Sequence, residues 1–126
     1  MKNDNNTSIQ ELKEIFAKFV SERDWEQFHT AKTMSMNLGI EVAELQRLLV
    51  WFEGDSLEQR VKDKKIDIEN EVADIIFNIF QFCNTCNIDI STAVKNKLPL
   101  TAAKYPIDKC KSRNDVFIKD GKLTTF

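Results

Sequence analysis

A chain of 126 residues has room for one sizeable core, and its 42% hydrophobic and 30% charged content is that of a soluble globular domain. A formal net charge of −2 argues against a nucleic-acid-binding surface, and only 3 Gly and 2 Pro favour long helices over a turn-rich β architecture. No apolar run approaches the roughly 20 residues that span a bilayer, and the polar N-terminus has no signal-peptide core, so the expectation is a cytoplasmic protein without a membrane partner.

Residues 1–7 are polar and read as a frayed end. From Ser8 the pattern Ile9, Leu12, Ile15/Phe16, Phe19/Val20 predicts a first helix ending near Asp24, with Ser8 and Glu11 spaced as a capping box. After the connector 25–30, a second helix is expected from Ala31 to Glu53, capped by Thr30 and stopped by Gly54. Its inward stripe is Met34, Leu38, Glu41, Leu45, Leu48, Phe52, so a carboxylate occupies a core position. Gly54-Asp55-Ser56 reads as a turn, and Leu57–Lys65 as a charged lead-in to a third helix that continues to about Asn87. Asp89 or Ser91 caps a fourth helix running from about Thr92 towards Tyr105, which Pro99 should kink or interrupt. In the tail, Asp120-Gly121 between β-formers suggests a small hairpin or an ordered arm. The division expected is a helical domain over 1–106 and a tail or arm over 107–126.

The third helix carries a stripe of Asp67, Glu71, Asp74, Asn78 and Gln81 in a mostly apolar surround. Glu71 and Asp74 have no Lys or Arg three or four positions away on their own helix, and like charges one turn apart repel. The second helix bears a matching pair, Glu41 and Glu44, and residues 45–70 are enough to turn and return antiparallel. In a bundle, four carboxylates can then converge, an arrangement tolerable only if neutralised. Hard cations take such oxygen ligands. The single histidine, His29, does not follow any Glu by three, which removes the common di-iron pattern and leaves Mg²⁺ or Mn²⁺. Metal ions with open positions suit phosphoryl chemistry. The competing reading is a non-catalytic helical-bundle interaction module whose acidic stripes face water, with Glu44 paired to Arg47. Cys83-Asn-Thr-Cys86 sits late in a helix with no strand before it, and only Cys110 and His29 could complete a zinc site, so buried helix cysteines are expected.

The Glu-x-x-Glu and Glu-x-x-Asp pairs at this separation resemble the MazG-like all-α nucleoside triphosphate pyrophosphohydrolases. The segment Glu22–His29, with Trp51 and Tyr105-Pro106 following in order, resembles their dCTP pyrophosphatase branch. Over roughly residues 8–106 the resemblance implies an all-α four-helix bundle, a homodimer or homotetramer with an active site partly built across subunits. The implied reaction is Mg²⁺-dependent hydrolysis of a (deoxy)nucleoside triphosphate, dCTP or a related dNTP, to the monophosphate and pyrophosphate. It makes Glu41, Glu44, Glu71 and Asp74 the catalytic metal ligands. Trp25, His29 and Trp51 would form the nucleoside pocket, and Lys97, Lys104 and Tyr105 the phosphate contacts. Two departures bear on base preference and phosphate geometry. Asn78 stands where that branch usually has Tyr, its amide a candidate for the base or ribose, and Thr101 where the phosphate motif usually has Asn.

Overall fold

The computed structural model describes residues 1–126, in two compact units, Met1–Ile88 and Asp89–Phe126. The first unit is helical throughout. Its α1 spans Ile9–Ser21, and Ser8 Oγ accepts from the Glu11 amide while the Glu11 carboxylate accepts from the Ser8 amide. That reciprocal pair satisfies two of the donors a helix start leaves open. Arg23 and Trp25 amides both donate to the Val20 carbonyl, and Asp24 takes a left-handed conformation to turn the chain out of the helix. A 3-10 turn, Glu26–Phe28, leads to Thr30, which caps α2, Ala31–Leu49.

The predicted inward stripe of α2 is its least exposed side: Met34 is buried, and Leu38, Glu41, Leu45 and Leu48 are half-buried, as is Phe52 just beyond its end. The helix ends before Glu53, and Gly54 does not simply stop it. With φ +51, Gly54 opens a separate helix, α3, Gly54–Asp63. The Glu53 amide donates to Ser56 Oγ and that hydroxyl donates back to the Glu53 carbonyl, so the residues expected to make only a turn also start a helix. Arg60 on α3 donates through Nε to the Leu48 carbonyl at the end of α2 and lies over the Phe52 ring at 4.7 Å, tying the two helices together.

The long helix α4, Lys65–Cys86, makes its main contact with α2 and a second with α1. Phe16 meets Phe77 and Phe80 edge-on at centroid distances of 5.1 and 5.9 Å, and Phe19 meets Phe77 at 6.0 Å. Such edge-to-face pairs add to the burial of the rings themselves. α4 ends at Asn87 in the left-handed conformation, with the Ile88 amide reaching back to the Cys83 carbonyl. The polar stripe of α4 is packed only in its later part, where Asn78 and Gln81 are each 5% exposed, while Asp67 and Asp74 are exposed, as are Ile66 and Val72 on other sides. The cysteines are all free, with Cys83 buried and Cys86 half-buried.

In the second unit, Asp89 accepts from the Thr92 amide to cap α5, Ile90–Lys104, which runs through Pro99 without interruption. Proline deprives the Lys95 carbonyl of its donor; Lys95 is exposed, so water is available to that oxygen. After the short α6, Ile107–Cys110, strands β1, Val116–Lys119, and β2, Lys122–Thr125, pair antiparallel in the register Val116↔Thr125. Asp120 and Gly121 both have positive φ, as the tight turn of a two-residue hairpin requires. Val116 is buried, and Phe117 stacks at 4.6 Å on Phe126. No helix of the chain is long and apolar enough to cross a membrane.

Candidate active site

Glu41 and Glu44 lie one turn apart on α2, and α4 presents Glu71 to them. One oxygen from each of these three carboxylates lies within 4.8 Å of the others. None of the ion pairs in the chain involves any of the three, or Asp74. Burial, and then the charges of Asp74, Glu44 and Glu71, hold the Glu41 carboxyl above the ordinary carboxylate range. Burial followed by Glu44, Asp74 and Asp67 does the same to Glu71. The fourth acid, Asp74, stands outside the tight cluster but close enough to act on both. Glu71 Oε2 is buried and has no hydrogen-bond partner.

A buried carboxylate oxygen without a donor, next to two more carboxylates, lacks either a proton or a cation. The donors are all oxygens, with no thiol or imidazole among them, which fits a hard divalent ion of the Mg²⁺ or Mn²⁺ kind. The group therefore suits the cation that the sequence resemblance implies.

Asp74 also lines an apolar cavity of about 320 Å³ with Ile15, Phe16, Phe19, Trp25, Ala73 and Phe77. Trp25 lies 5.8 Å from Phe19 and 6.3 Å from His29, ring to ring. His29 Nδ1 is buried without a partner, and burial lowers the imidazole pKa against the opposing effect of Glu26. Trp25 and Asp74 thus share one cavity, and His29 adjoins the Trp25 and Phe77 rings. Asn78, one turn beyond Asp74, is turned inward, and its amide donates to the Asp74 carbonyl at 2.9 Å.

Trp51 sits in the turn after α2, 85% exposed, with no ring contact to Trp25 or His29. In the second unit, Lys97 borders a shallow groove with Ala93, Val94, Leu98 and Thr101. Lys104 Nζ lies over the rings of Tyr105 and Phe117 at 5.4 and 4.8 Å. Phe16, Phe19 and Phe77 were not anticipated as cavity walls, because at helical spacing they read only as core. Their signal was the adjacency of Phe77 to the Asp74 face.

No family model matches the chain. It is 27% identical over 107 residues to dCTP pyrophosphatase 1 of Homo sapiens, a match covering 83% of this chain and 63% of that protein. The rat protein of the same name is 28% identical over 102 residues, 79% of this chain and 60% of the relative. The chain thus spans about 60% of the length of these curated relatives. Among solved structures, a pyrophosphatase from Archaeoglobus fulgidus superposes with a TM-score of 0.74 at 29% identity, covering 84% of this chain and 99% of that one. The chain thus shares its helical fold with a solved pyrophosphatase, a likeness consistent with the MazG-like all-α superfamily. Within that class the homologues of the chain are dCTP pyrophosphatases.

Proposed function

We propose that the protein is a divalent-cation-dependent nucleoside triphosphate pyrophosphohydrolase acting on dCTP or a related dNTP, serving to clear the nucleotide pool. Water adds at the α-phosphorus, the bond from that phosphorus to the bridging oxygen breaks, and the nucleoside monophosphate and pyrophosphate leave. The observation that carries this reading is the convergence of Glu41, Glu44 and Glu71 from two helices, with a buried oxygen lacking any donor. Its support is the homology to pyrophosphatases.

In this reading Glu41, Glu44, Glu71 and Asp74 hold Mg²⁺, with Mn²⁺ an effective substitute. A divalent ion so held supplies charge for phosphate oxygens and lowers the pKa of a coordinated water. The protein's own part is positional. The carboxylates are fixed by the packing of α2 on α4, so that ion binding relieves repulsion already present between them. The Phe16–Phe19–Trp25–Phe77 wall beside Asp74 offers flat apolar faces to a nucleoside. Asn78 fixes the Asp74 backbone turn. Trp51, Lys97, Lys104 and Tyr105 keep the nucleoside and phosphate roles that the resemblance assigns them.

Met36, Ile40, Val50 and Ile66 are apolar side chains left exposed. Association into a homodimer or a homotetramer covers such a surface. That same surface is the one observation favouring a non-catalytic assembly module. The experiment that separates the two is pyrophosphate release from a panel of nucleoside triphosphates with Mg²⁺, for the wild type, Glu41→Gln and Glu71→Gln. The wild type should release pyrophosphate, and each variant should fold and lose at least about a hundredfold in kcat, the scale of losing a catalytic group that acts in the transition state. Full activity in both variants would rule out this assignment.

A further inference from the structure

The inward face of α4 does not end at Asn78. Glu71, Asp74, Asn78, Gln81 and Thr85 follow one another at steps of three, four, three and four, so they share that face. At 1.5 Å per residue Gln81 lies about 10 Å along the axis from Asp74, of the order of the span from a nucleotide's phosphate to its base. There the face opens into a second cavity, about 310 Å³, lined by Ala17, Glu26, His29, Gln81, Asn84 and Thr85. Unlike the cavity beside Asp74, it is lined by five residues with polar side chains and one alanine.

The hydrogen bonds already made decide what those walls can offer. Asn84 Nδ2 donates to the Lys13 carbonyl and to Gln81 Oε1, which uses both of its protons and leaves Oδ1 as an acceptor. Thr85 Oγ1 donates to the His29 carbonyl, so it too remains an acceptor. Glu26 contributes carboxylate oxygens. Gln81 is 5% exposed overall, and its Nε2 makes no hydrogen bond within the chain yet is not sealed from solvent. An amide nitrogen that reaches the cavity with no partner in the chain is available to an acceptor on a ligand. The imidazole aside, the cavity therefore presents several acceptors and one paired donor.

We propose that Gln81 is a specificity-determining residue that reads the hydrogen-bonding edge of the substrate's base, selecting a base with an exocyclic amine beside a ring nitrogen or carbonyl acceptor. The inference rests on the pyrophosphohydrolase reading and deepens it. Cytosine matches: its amine meets the surrounding acceptors and its ring nitrogen or carbonyl meets Gln81 Nε2. Uracil turns a carbonyl towards those same acceptors, which leaves buried lone pairs facing each other.

The test compares kcat/KM for dCTP, dUTP and base-free deoxyribose 5-triphosphate in the wild type, Gln81→Met and Gln81→Glu, each checked for folding by its thermal melt. Methionine keeps the volume without the donors, and glutamate keeps polarity while removing them. The wild type should prefer dCTP, and both variants should lower the dCTP-to-dUTP ratio about tenfold or more, mainly through KM, the scale of one lost hydrogen bond at a buried partner. Base-free triphosphate should be turned over as before. If one variant fails to fold, the other carries the comparison. An unchanged ratio, a wild type indifferent to the two bases, or an equal fall on all three substrates overturns the role of Gln81 while leaving the hydrolase reading in place. A wild type that releases no pyrophosphate from any of them overturns the hydrolase reading itself.

Discussion

The two ends of one helix face make opposite physical choices. In the first half of α4, Glu71 and Asp74 bring charge towards Glu41 and Glu44, and Glu71 Oε2 is buried with no hydrogen-bond donor. Three turns on, Gln81 and Asn84 bury neutral amides that bond each other and the α1 backbone at Lys13. The amide end supports the contact of α4 with α1. The acid end works against the contact of α4 with α2, which persists because Met34, Leu38, Leu45 and Leu48 pack beside it. Repulsive charge retained in an otherwise well-packed interface points to chemistry rather than to architecture.

The largest way to sharpen the contrast is to add a divalent cation. Mg²⁺ at a hundred times its Kd should stabilise the wild type by about 2.7 kcal/mol, if binding is confined to the folded state. Differential scanning calorimetry should show that as a rise of several degrees in Tm. Glu71→Gln should melt higher than the wild type without Mg²⁺, because one repelling charge is gone, and should gain little when Mg²⁺ is added. A Gln81→Met melt, by contrast, should not depend on Mg²⁺ beyond the wild-type response. A metal-independent wild-type melt would erase the distinction between the two ends.

A smaller effect separates them by pH. Glu41 and Glu71 have pKa values raised above the unfolded 4.5, so between that value and their folded pKa the native state binds more protons than the unfolded state. Their contribution to metal-free stability is therefore favourable at the acid side of this window and is lost as pH rises through the folded pKa. Asp115, held down by its bidentate bond to Arg113, and Glu11, held down by Lys2, act with the opposite sign. Their stabilisation is present above 3.8 and 4.5 and disappears as pH falls through their folded values. Urea melts in chelator from pH 7.5 down to 5 should thus show a gain in stability that Glu41→Gln reduces, with the loss from the other pair confined to lower pH.

Much of this was legible in the residues because the controlling forces were local. Ser8 with Glu11, Thr30, and Asp89 sit where their caps form, and the period of the α2 stripe already placed Glu41 inward. The misjudged points are those where a wider context overrides a local rule. Gly54 was read as a stop because glycine favours helix ends, but the Ser56 hydroxyl makes the same turn a beginning. Of the kink or interruption expected at Pro99, the interruption does not occur, because an exposed helix can give the freed carbonyl to water. The polar cavity around Gln81 joins residues of α1, the 3-10 turn and α4, and no spacing within one segment signals such a grouping.

The central claim is that Glu41, Glu44 and Glu71, with Asp74 beside them, make one site for a hard divalent ion. Titration of Mn²⁺ into the protein, read by the loss of the free-ion electron paramagnetic resonance signal, addresses it without any substrate. The account predicts saturable binding to the wild type, displaced by excess Mg²⁺ and strongly weakened in Glu71→Gln. Mn²⁺ that remains free at stoichiometric protein, or that binds Glu71→Gln as well as the wild type, would contradict it.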